Sequence, residues 1–287
     1  MPIEAPLNLE IDRMSIGCIG NLDLKHVSPD QFQAIVAAWH RHGVISAHDQ
    51  DLSKEQLVAF SRMFGIPERA DNQEKALIVD TGPPEIMIVS NVVENGRPIG
   101  HLGNKEAYWH TDMCYTDSPP IASILYAREV PDEGGDTSFM DMNAVYESLP
   151  ARLKELAATL SIKHDRSYTA VGDLRHGYDP VTSVRESPGA VHPVVKTHPA
   201  TGCKSLYLGR RRCAYVMGMP VDDSEALLDE LWTYTEAPEL VCRHRWSVGD
   251  LLIWDNRRLM HKREAFDAGT RRLMWRSQIQ ADPSNRY

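Results

Sequence analysis

The sequence lacks any apolar run approaching the roughly 18 residues that a membrane-spanning helix needs, so no segment of it reads as a transmembrane span. It is poor in cysteine. The five that occur, Cys18, Cys114, Cys203, Cys213 and Cys242, are odd in number, scattered, and never in C-x-x-C spacing. That excludes a disulfide framework and a cysteine-rich zinc site, and a reducing cytoplasmic setting is the simplest expectation. Positive charge is also in deficit. Lysine and arginine number 31 against 40 acidic residues, giving a net charge of -9 and a pI near 5.7. Phosphate backbones repel such a chain, so nucleic acid is not an expected partner. Low-complexity tracts, repeats and Gly/Ser linkers are missing too, which argues for one domain over residues 1–287. Met1 to Leu9 carries Glu4 and no basic region ahead of an apolar stretch, so no signal peptide is expected there.

What is present is a chain with 42% hydrophobic residues in 287, enough for a large core. Ser28-Pro29-Asp30-Gln31 has the form of a capping box with proline at the first helical position. Phe32, Ile35, Val36 and Trp39 then recur at helical spacing, and Gly43 can end the helix. A second helix is predicted from Ser53, with Gln56 completing the box, Leu57, Phe60 and Phe64 as its stripe, and Gly65 and Pro67 as its stop. Val44 to Ala47 between them reads as a strand. From Glu85 onward strand signals dominate: Ile86 to Val93 with an Asn95-Gly96 turn, Ile121 to Ala127, a hairpin from His192 to Thr197 and Lys204 to Leu208, then Val241 to Trp246, Leu251 to Trp254 and Arg272 to Ile279. Helices are expected at Pro150 to Leu160 and from about Asp223 to Tyr234. Many short strands with helices outside predict an α+β chain with a double-stranded β-helix, or jelly-roll, core.

The chemistry starts at His110-Thr111-Asp112. Alternate residues of a strand share a face, so one imidazole and one carboxylate would point at a single place. A third ligand has to come from elsewhere. Two histidines and one carboxylate on one face, with positions left open, suit non-haem iron(II). Taken alone, H-x-D is too common to carry this. Its surroundings add to it. Trp109-His110-Thr111-Asp112 is followed by Gly134-Gly135-Asp136-Thr137, then by Trp254-Asp255-Asn256-Arg257, His261, Arg272 and Arg276. With Gly20-Asn21-Leu22-Asp23-Leu24, the Leu52-Ser53-Lys54-Glu55-Gln56 helix start, and His192-Pro193-Val194-Val195 running on to Thr197-His198-Pro199, the order and spacing resemble the taurine dioxygenase and 2,4-dichlorophenoxyacetate dioxygenase family.

That resemblance implies an iron(II)- and 2-oxoglutarate-dependent dioxygenase. It would use O2, release succinate and CO2, and hydroxylate a small anionic substrate. His110, Asp112 and His261 would hold the iron. Arg272 and Thr137 would hold the far carboxylate of 2-oxoglutarate, through a planar guanidinium and one hydroxyl. The presence of Asp112 favours hydroxylation over halogenation. Arg276 is carried over as a substrate-facing residue, with a barrel-lining ion pair as its alternative. Within Gly209-Arg210-Arg211-Arg212, Arg211 or Arg212 is a candidate for a substrate anion, with a solvated charge run as the alternative. Tyr168 and Tyr215 are candidates for the same mouth. Glu106 stands where the taurine enzymes have an asparagine, which argues against taurine itself, and Ser90 to Gly96 looks closer to the aryloxyalkanoate branch. His164, His192 and His198 are expected to be structural, and Asp255 and Asn256 to buttress the strand of His261. The family also implies a homodimer or homotetramer. Two other readings stay open at this point: a zinc hydrolase on the same three ligands, and a non-catalytic barrel that binds a small acid. Arg272 and Thr137 discriminate against the hydrolase, which needs no second carboxylate clamp.

Overall fold

The computed structural model describes residues 16–20, 22–69 and 82–280. Met1 to Leu9 and Asn21 lie outside the described residues. Helix α1 is Pro29–His42 and helix α2 is Lys54–Phe64. Both capping boxes form. The Ser28 hydroxyl accepts the Gln31 N–H at 3.2 Å and the Gln31 side chain accepts the Ser28 N–H at 2.8 Å, and Ser53 and Gln56 repeat the pattern. Gly43 ends α1 at φ 74, a left-handed conformation that glycine adopts without a Cβ penalty.

Strands that matter here are β1 (Gly17–Ile19), β2 (Val44–Ala47), β3 (Met87–Ser90), β4 (His101–Leu102), β5 (Ala107–His110), β6 (Ala122–Glu129), β7 (Thr137–Asp141), β8 (Val241–His244), β9 (Leu251–Asp255), β10 (Leu259–Arg263) and β11 (Leu273–Ile279). A seven-stranded sheet runs β1-β2-β9-β6-β11-β3-β4, and a four-stranded sheet runs β8-β7-β10-β5. Their facing sides share one apolar cluster, with Leu125, Leu252, Trp254 and Met274 from the first and Phe139 and Leu259 from the second. Helices α1 and α2 cover the other face of the larger sheet through Trp39, Phe60 and Phe64 against Ile45, Ile124 and Ile253. Helices α3 (Met142–Ser148), α4 (Ala151–Ala157) and α5 (Val221–Thr233) cover the outer side of the smaller sheet around Met140 and Met260. The result is a mixed helix-and-sheet chain in which two sheets sit between helical layers. Among the described residues no helix is long and apolar enough to cross a membrane.

Departures from expectation are local. The predicted strand Ile86 to Val93 ends at Ser90, and Asn95 (φ 50) and Gly96 (φ 76) turn a separate small hairpin of Val93–Glu94 and Arg97–Pro98. The predicted hairpin strand His192 to Thr197 is split. Val195–Thr197 pairs with Lys204–Leu206, whereas Val191–Pro193 pairs with Ser161–Lys163. Helix α3 was not anticipated. It is too short to display a periodic stripe, and its cap is Asp141, whose side chain accepts the Asn143 N–H at 2.9 Å.

One buried ionic contact secures the end of β9. Asp255 is fully buried and accepts from Arg257 Nε at 2.8 Å and Nη2 at 2.6 Å, and His198 Nε2 lies 2.8 Å away. Burial by itself would raise the Asp255 pKa, but Arg257 and His198 outweigh it and hold the carboxyl well below the usual carboxylate range. A depressed carboxylate contributes stability that is fully present above its unfolded value of about 4 and is lost as pH falls through the folded value. Asp255→Asn is therefore expected to cost about 2 kcal/mol at pH 7, with a smaller difference in acid. Urea unfolding at pH 7 and pH 3 checks the sign.

Candidate metal and cosubstrate site

β5 and β10 lie side by side with His110 and His261 directly paired. Their ring centroids are 4.2 Å apart. Asp112 reaches the same place differently from the expected strand alternation. β5 stops at His110, and Asp112 lies in the turn that follows, where Met113 has φ 49. The chain bends the carboxylate back toward the two imidazoles. His110 Nε2 is 3.7 Å from Asp112 Oδ1, and His261 Nε2 is 3.9 Å from Asp112 Oδ2. One donor atom from each residue falls within 4.8 Å of the others, and among the described residues this is the one such cluster of three.

The protonation states suit a metal ion. His110 Nδ1 lies 2.7 Å from the carbonyl of Tyr108, an acceptor, so it carries the proton and Nε2 keeps its lone pair. Burial and the neighbouring His261 push the His110 pKa down to about 3. Burial also lowers that of His261, with Asp112 opposing. Asp112 would be raised by burial, but Arg276, both imidazoles and Ser123 hold it ionised. The outcome is two neutral imidazoles and one carboxylate, the forms that ligate. Behind them runs a chain of donors. Trp254 Nε1 donates to Asn256 Oδ1 at 3.0 Å, Asn256 Nδ2 to Ser123 Oγ at 2.9 Å, and Ser123 Oγ to Asp112 Oδ2 at 2.7 Å. Asn256 thus orients Asp112 rather than the strand of His261. Ser123→Ala removes the last link and leaves the Asn256 amide without its acceptor. Iron(II) affinity is expected to fall about 10- to 100-fold, measurable by anaerobic metal titration.

A second polar group is buried nearby in sequence to β11. Arg272 is 1% exposed, and its Nε has no hydrogen-bond partner. Burial and the adjacent Arg263 lower its pKa to about 9. Among the described residues no carboxylate forms an ion pair with it. Its backbone is pinned, the N–H to Asn91 Oδ1 at 3.0 Å and the carbonyl to the Ser90 hydroxyl at 2.7 Å. The guanidinium lies along Gly135, where an added Cβ would come within 3.2 Å of Nε, and where φ is 70. Thr137 follows at the start of β7. Its hydroxyl accepts from Trp246 Nε1 at 3.0 Å, which leaves its proton free to donate. A buried cation with no ion pair among the described residues is costly unless an anion joins it.

A cavity of about 800 Å³ opens onto His110 and Asp112, with Arg276 and Arg210 in its wall.

The sequence profile of the "Taurine catabolism dioxygenase TauD, TfdA family" matches residues 10–278. The chain belongs to this family. It is 34% identical over 256 residues to a (S)-phenoxypropionate/alpha-ketoglutarate-dioxygenase of Sphingobium herbicidovorans, covering 87% of this chain and 86% of the relative. It is 29% identical over 273 residues to an alpha-ketoglutarate-dependent 2,4-dichlorophenoxyacetate dioxygenase of a Burkholderia species, covering 91% and 90%. Among solved structures, a taurine dioxygenase from Burkholderia xenovorans superposes with a TM-score of 0.76 at 28% identity, over 96% of this chain and 92% of that one. AAD-2 in complex with Mn(II) and N-oxalylglycine superposes with a TM-score of 0.76 at 29% identity, over 96% and 97%. The protein is accordingly an iron(II)- and 2-oxoglutarate-dependent dioxygenase, and neither the zinc-hydrolase nor the non-catalytic reading is favoured.

Within this dioxygenase the expected site residues part company. His110, Asp112 and His261 converge. Arg272 and Thr137 are buried outside the walls of the large cavity. Arg276 lines it, but its Nη1 already donates to Asp112 Oδ1 at 3.3 Å. Five candidates lie outside the cavity wall. Arg211 turns away and pairs with Asp229 at 2.7 Å and Glu225 at 2.5 Å on α5. Arg212 is exposed and stacks 3.6 Å over Tyr168, whose ring is buried beneath it and is not part of the cavity wall. Glu106 is exposed and outside the wall. Tyr215 is also outside it, its hydroxyl donating to the Met219 carbonyl at 2.5 Å. The arginine that does face inward is Arg210, which donates to the carbonyls of Tyr168 at 2.7 Å and Asp165 at 2.9 Å. Gly209 (φ 63) and the bend and turn over 211–213 send the three side chains different ways, so only one of three adjacent arginines faces the cavity, and nothing local says which.

Proposed function

We propose that this dioxygenase hydroxylates a small organic anion, a carboxylate, aryloxyalkanoate or sulfonate, bound in the cavity beside the His110–Asp112–His261 cluster. The observation that carries this is the cavity wall, in which Arg276 and Arg210 stand next to the metal-ligating groups while Ile86, Ile88 and Val171 supply apolar surface. The relatives named for phenoxypropionate and 2,4-dichlorophenoxyacetate support the same substrate class.

In this reading His110, Asp112 and His261 hold iron(II), and Arg272 with Thr137 holds the far carboxylate of 2-oxoglutarate. When bound, iron with 2-oxoglutarate and O2 supplies the oxidising power, and succinate and CO2 leave. The protein's own part is positional. Ser123 and Arg276 keep Asp112 ionised and oriented, Tyr108 keeps His110 in the ligating tautomer, and the cavity selects which C–H bond lies nearest. Arg276 adds positive charge at the inner end. The two sheets are read as the walls of a double-stranded β-helix, the whole chain as one oxygenase domain, and the assembly as a homodimer or homotetramer, which light scattering tests.

The direct experiment is succinate release from 2-oxoglutarate and iron(II) with a panel of carboxylates, aryloxy acids and sulfonates. At least one anion is expected to stimulate release stoichiometrically with its own hydroxylation, and His110→Ala to lose that activity with the fold intact by circular dichroism. Stimulation only by cations or neutral compounds would overturn the substrate class.

A further inference from the structure

A short piece of chain that follows α2 runs alongside the end of β11. Pro67 bridges Ile279, the Glu68 N–H donates to the Gln278 carbonyl at 2.7 Å, and the Gln280 N–H donates to the Ile66 carbonyl at 2.9 Å. Opposed residues of an antiparallel pair share a face, so Glu68 lies on the side of Gln278. Arg276, two residues back along β11, lies on that side too. So does Ser123, which is paired with Gln278 from β6 and whose hydroxyl donates to Asp112 at 2.7 Å. The backbone therefore turns Glu68 toward the cavity, whose wall it shares with Gln278, Arg276 and Asp112.

Among the described residues four carboxylates line this cavity. Glu85 pairs with Arg62 at 3.1 Å, and Asp173 with Lys105 at 2.7 Å. Asp112 belongs to the metal cluster and takes Arg276 Nη1 at 3.3 Å. Glu68 is the fourth. It is partly buried, and among the described residues its carboxylate has no ion pair and no hydrogen bond. Burial raises its pKa, with Arg276 opposing and Asp112 adding to the rise. Arg276 is already engaged, through Nη1 on Asp112 and through Nη2 on Met87 Sδ at 2.9 Å, while its Nε is buried without a partner. One wall thus carries an unjoined carboxylate and an open guanidinium N–H. A carboxylate drawn out of water is costly until a donor reaches it, and a cationic donor offsets the most.

We propose that Glu68 is a specificity-determining residue of this site, accepting a hydrogen bond from an amino group of the substrate. The preferred substrates are then organic acids that also carry an ammonium, which lies against Glu68 while the acid group faces Arg276. A hydroxyl in the same place satisfies the carboxylate less well. An acid with no donor meets Glu68 as a second negative charge. This rests on the reading that the cavity is the dioxygenase's substrate site.

The test is calorimetric binding to protein loaded with Mn(II) and N-oxalylglycine. The probes differ at one group: phenylalanine and 3-amino-3-phenylpropionate carry an amine at two distances from the acid, 3-phenyllactate carries a hydroxyl, and 3-phenylpropionate carries neither. Wild type is expected to bind one of the two amino acids more tightly than 3-phenyllactate, and 3-phenyllactate more tightly than 3-phenylpropionate. Glu68→Gln keeps the size of the side chain and removes its charge. It should weaken the preferred amino acid about 10- to 100-fold and strengthen 3-phenylpropionate, because a like-charge repulsion is lifted. Glu68→Ala should give the same two opposite signs, which general damage to the fold does not produce. If neither amino acid binds wild type more tightly than 3-phenylpropionate, absence of all binding included, the assignment is refuted. It is refuted equally if both variants move every probe in one direction. Succinate release is measured in parallel. Release driven by donor-free acids and unchanged in Glu68→Gln would keep the small-acid reading and remove Glu68 from it. Glu68-dependent binding of an amino acid, with no succinate from any probe, would remove the substrate-site reading and keep the Glu68 contact.

Discussion

Replacing His261 with alanine is expected to reduce 2-oxoglutarate-dependent turnover by about a thousandfold or more while leaving a folded protein. His261 supplies one of the three donor atoms that approach within 4.8 Å of one another, and it comes from a strand remote in sequence from the other two. His110 and Asp112 alone would leave the ion on two ligands from one short segment, the end of β5 and the turn after it, which lowers affinity and loosens geometry together. The ring also touches the core, with its centroid 4.8 Å from that of Trp254 and 6.2 Å from that of Phe139. A stability loss of about 1–3 kcal/mol is therefore expected as well. Iron content after anaerobic loading, succinate release and a thermal melt separate the two effects. Wild-type turnover in a variant shown to be folded would remove His261 from the ligand set.

Arg272→Met should act on cosubstrate binding with an opposite sign on the free protein. In the absence of 2-oxoglutarate the guanidinium is buried, its Nε is unpaired, and Arg263 adds a like charge. A methionine of similar length removes that desolvated charge, so the melting temperature of the unliganded protein is expected to hold or rise. The KM for 2-oxoglutarate should rise about 100- to 1000-fold, because a buried charge-assisted contact to its far carboxylate is lost. The thermal stabilisation that 2-oxoglutarate gives the wild type should vanish with it. A lower melting temperature with an unchanged KM would make Arg272 a structural residue. Thr137→Val should move KM in the same direction by less, since it removes one hydroxyl and leaves the charge.

Much of this site was legible before any coordinates. The capping boxes at Ser28 and Ser53 formed as written, because a cap is decided by residues three apart. Trp109-His110-Thr111-Asp112 and the later His261 could be paired because their order along the chain resembles a family. The reason they meet was misjudged in one respect: Asp112 arrives through a turn and not by strand alternation. The substrate side was much less readable. Arg211, Arg212, Tyr168 and Glu106 looked suitable by charge or aromatic character, yet α5 supplies carboxylates that draw Arg211 outward, and Tyr168 is covered by Arg212. Arg166 and Arg175 carried no local signal, since what puts them on the cavity wall is a turn closed by Asp165 and tied to β5.

The amino-acid order alone determined the helix starts and the strand-rich middle and end, and it named the candidate metal-ligating and cosubstrate-binding side chains. Such features depend on neighbours within a few residues or on motifs whose order survives in the chain. Only the tertiary structure decided that His261 pairs with His110 across β5 and β10, that Gly135 makes room for Arg272, and which arginines face the cavity. Those outcomes depend on packing between segments far apart in sequence, where burial and the nearest opposite charge, not residue type, determine which way a side chain points.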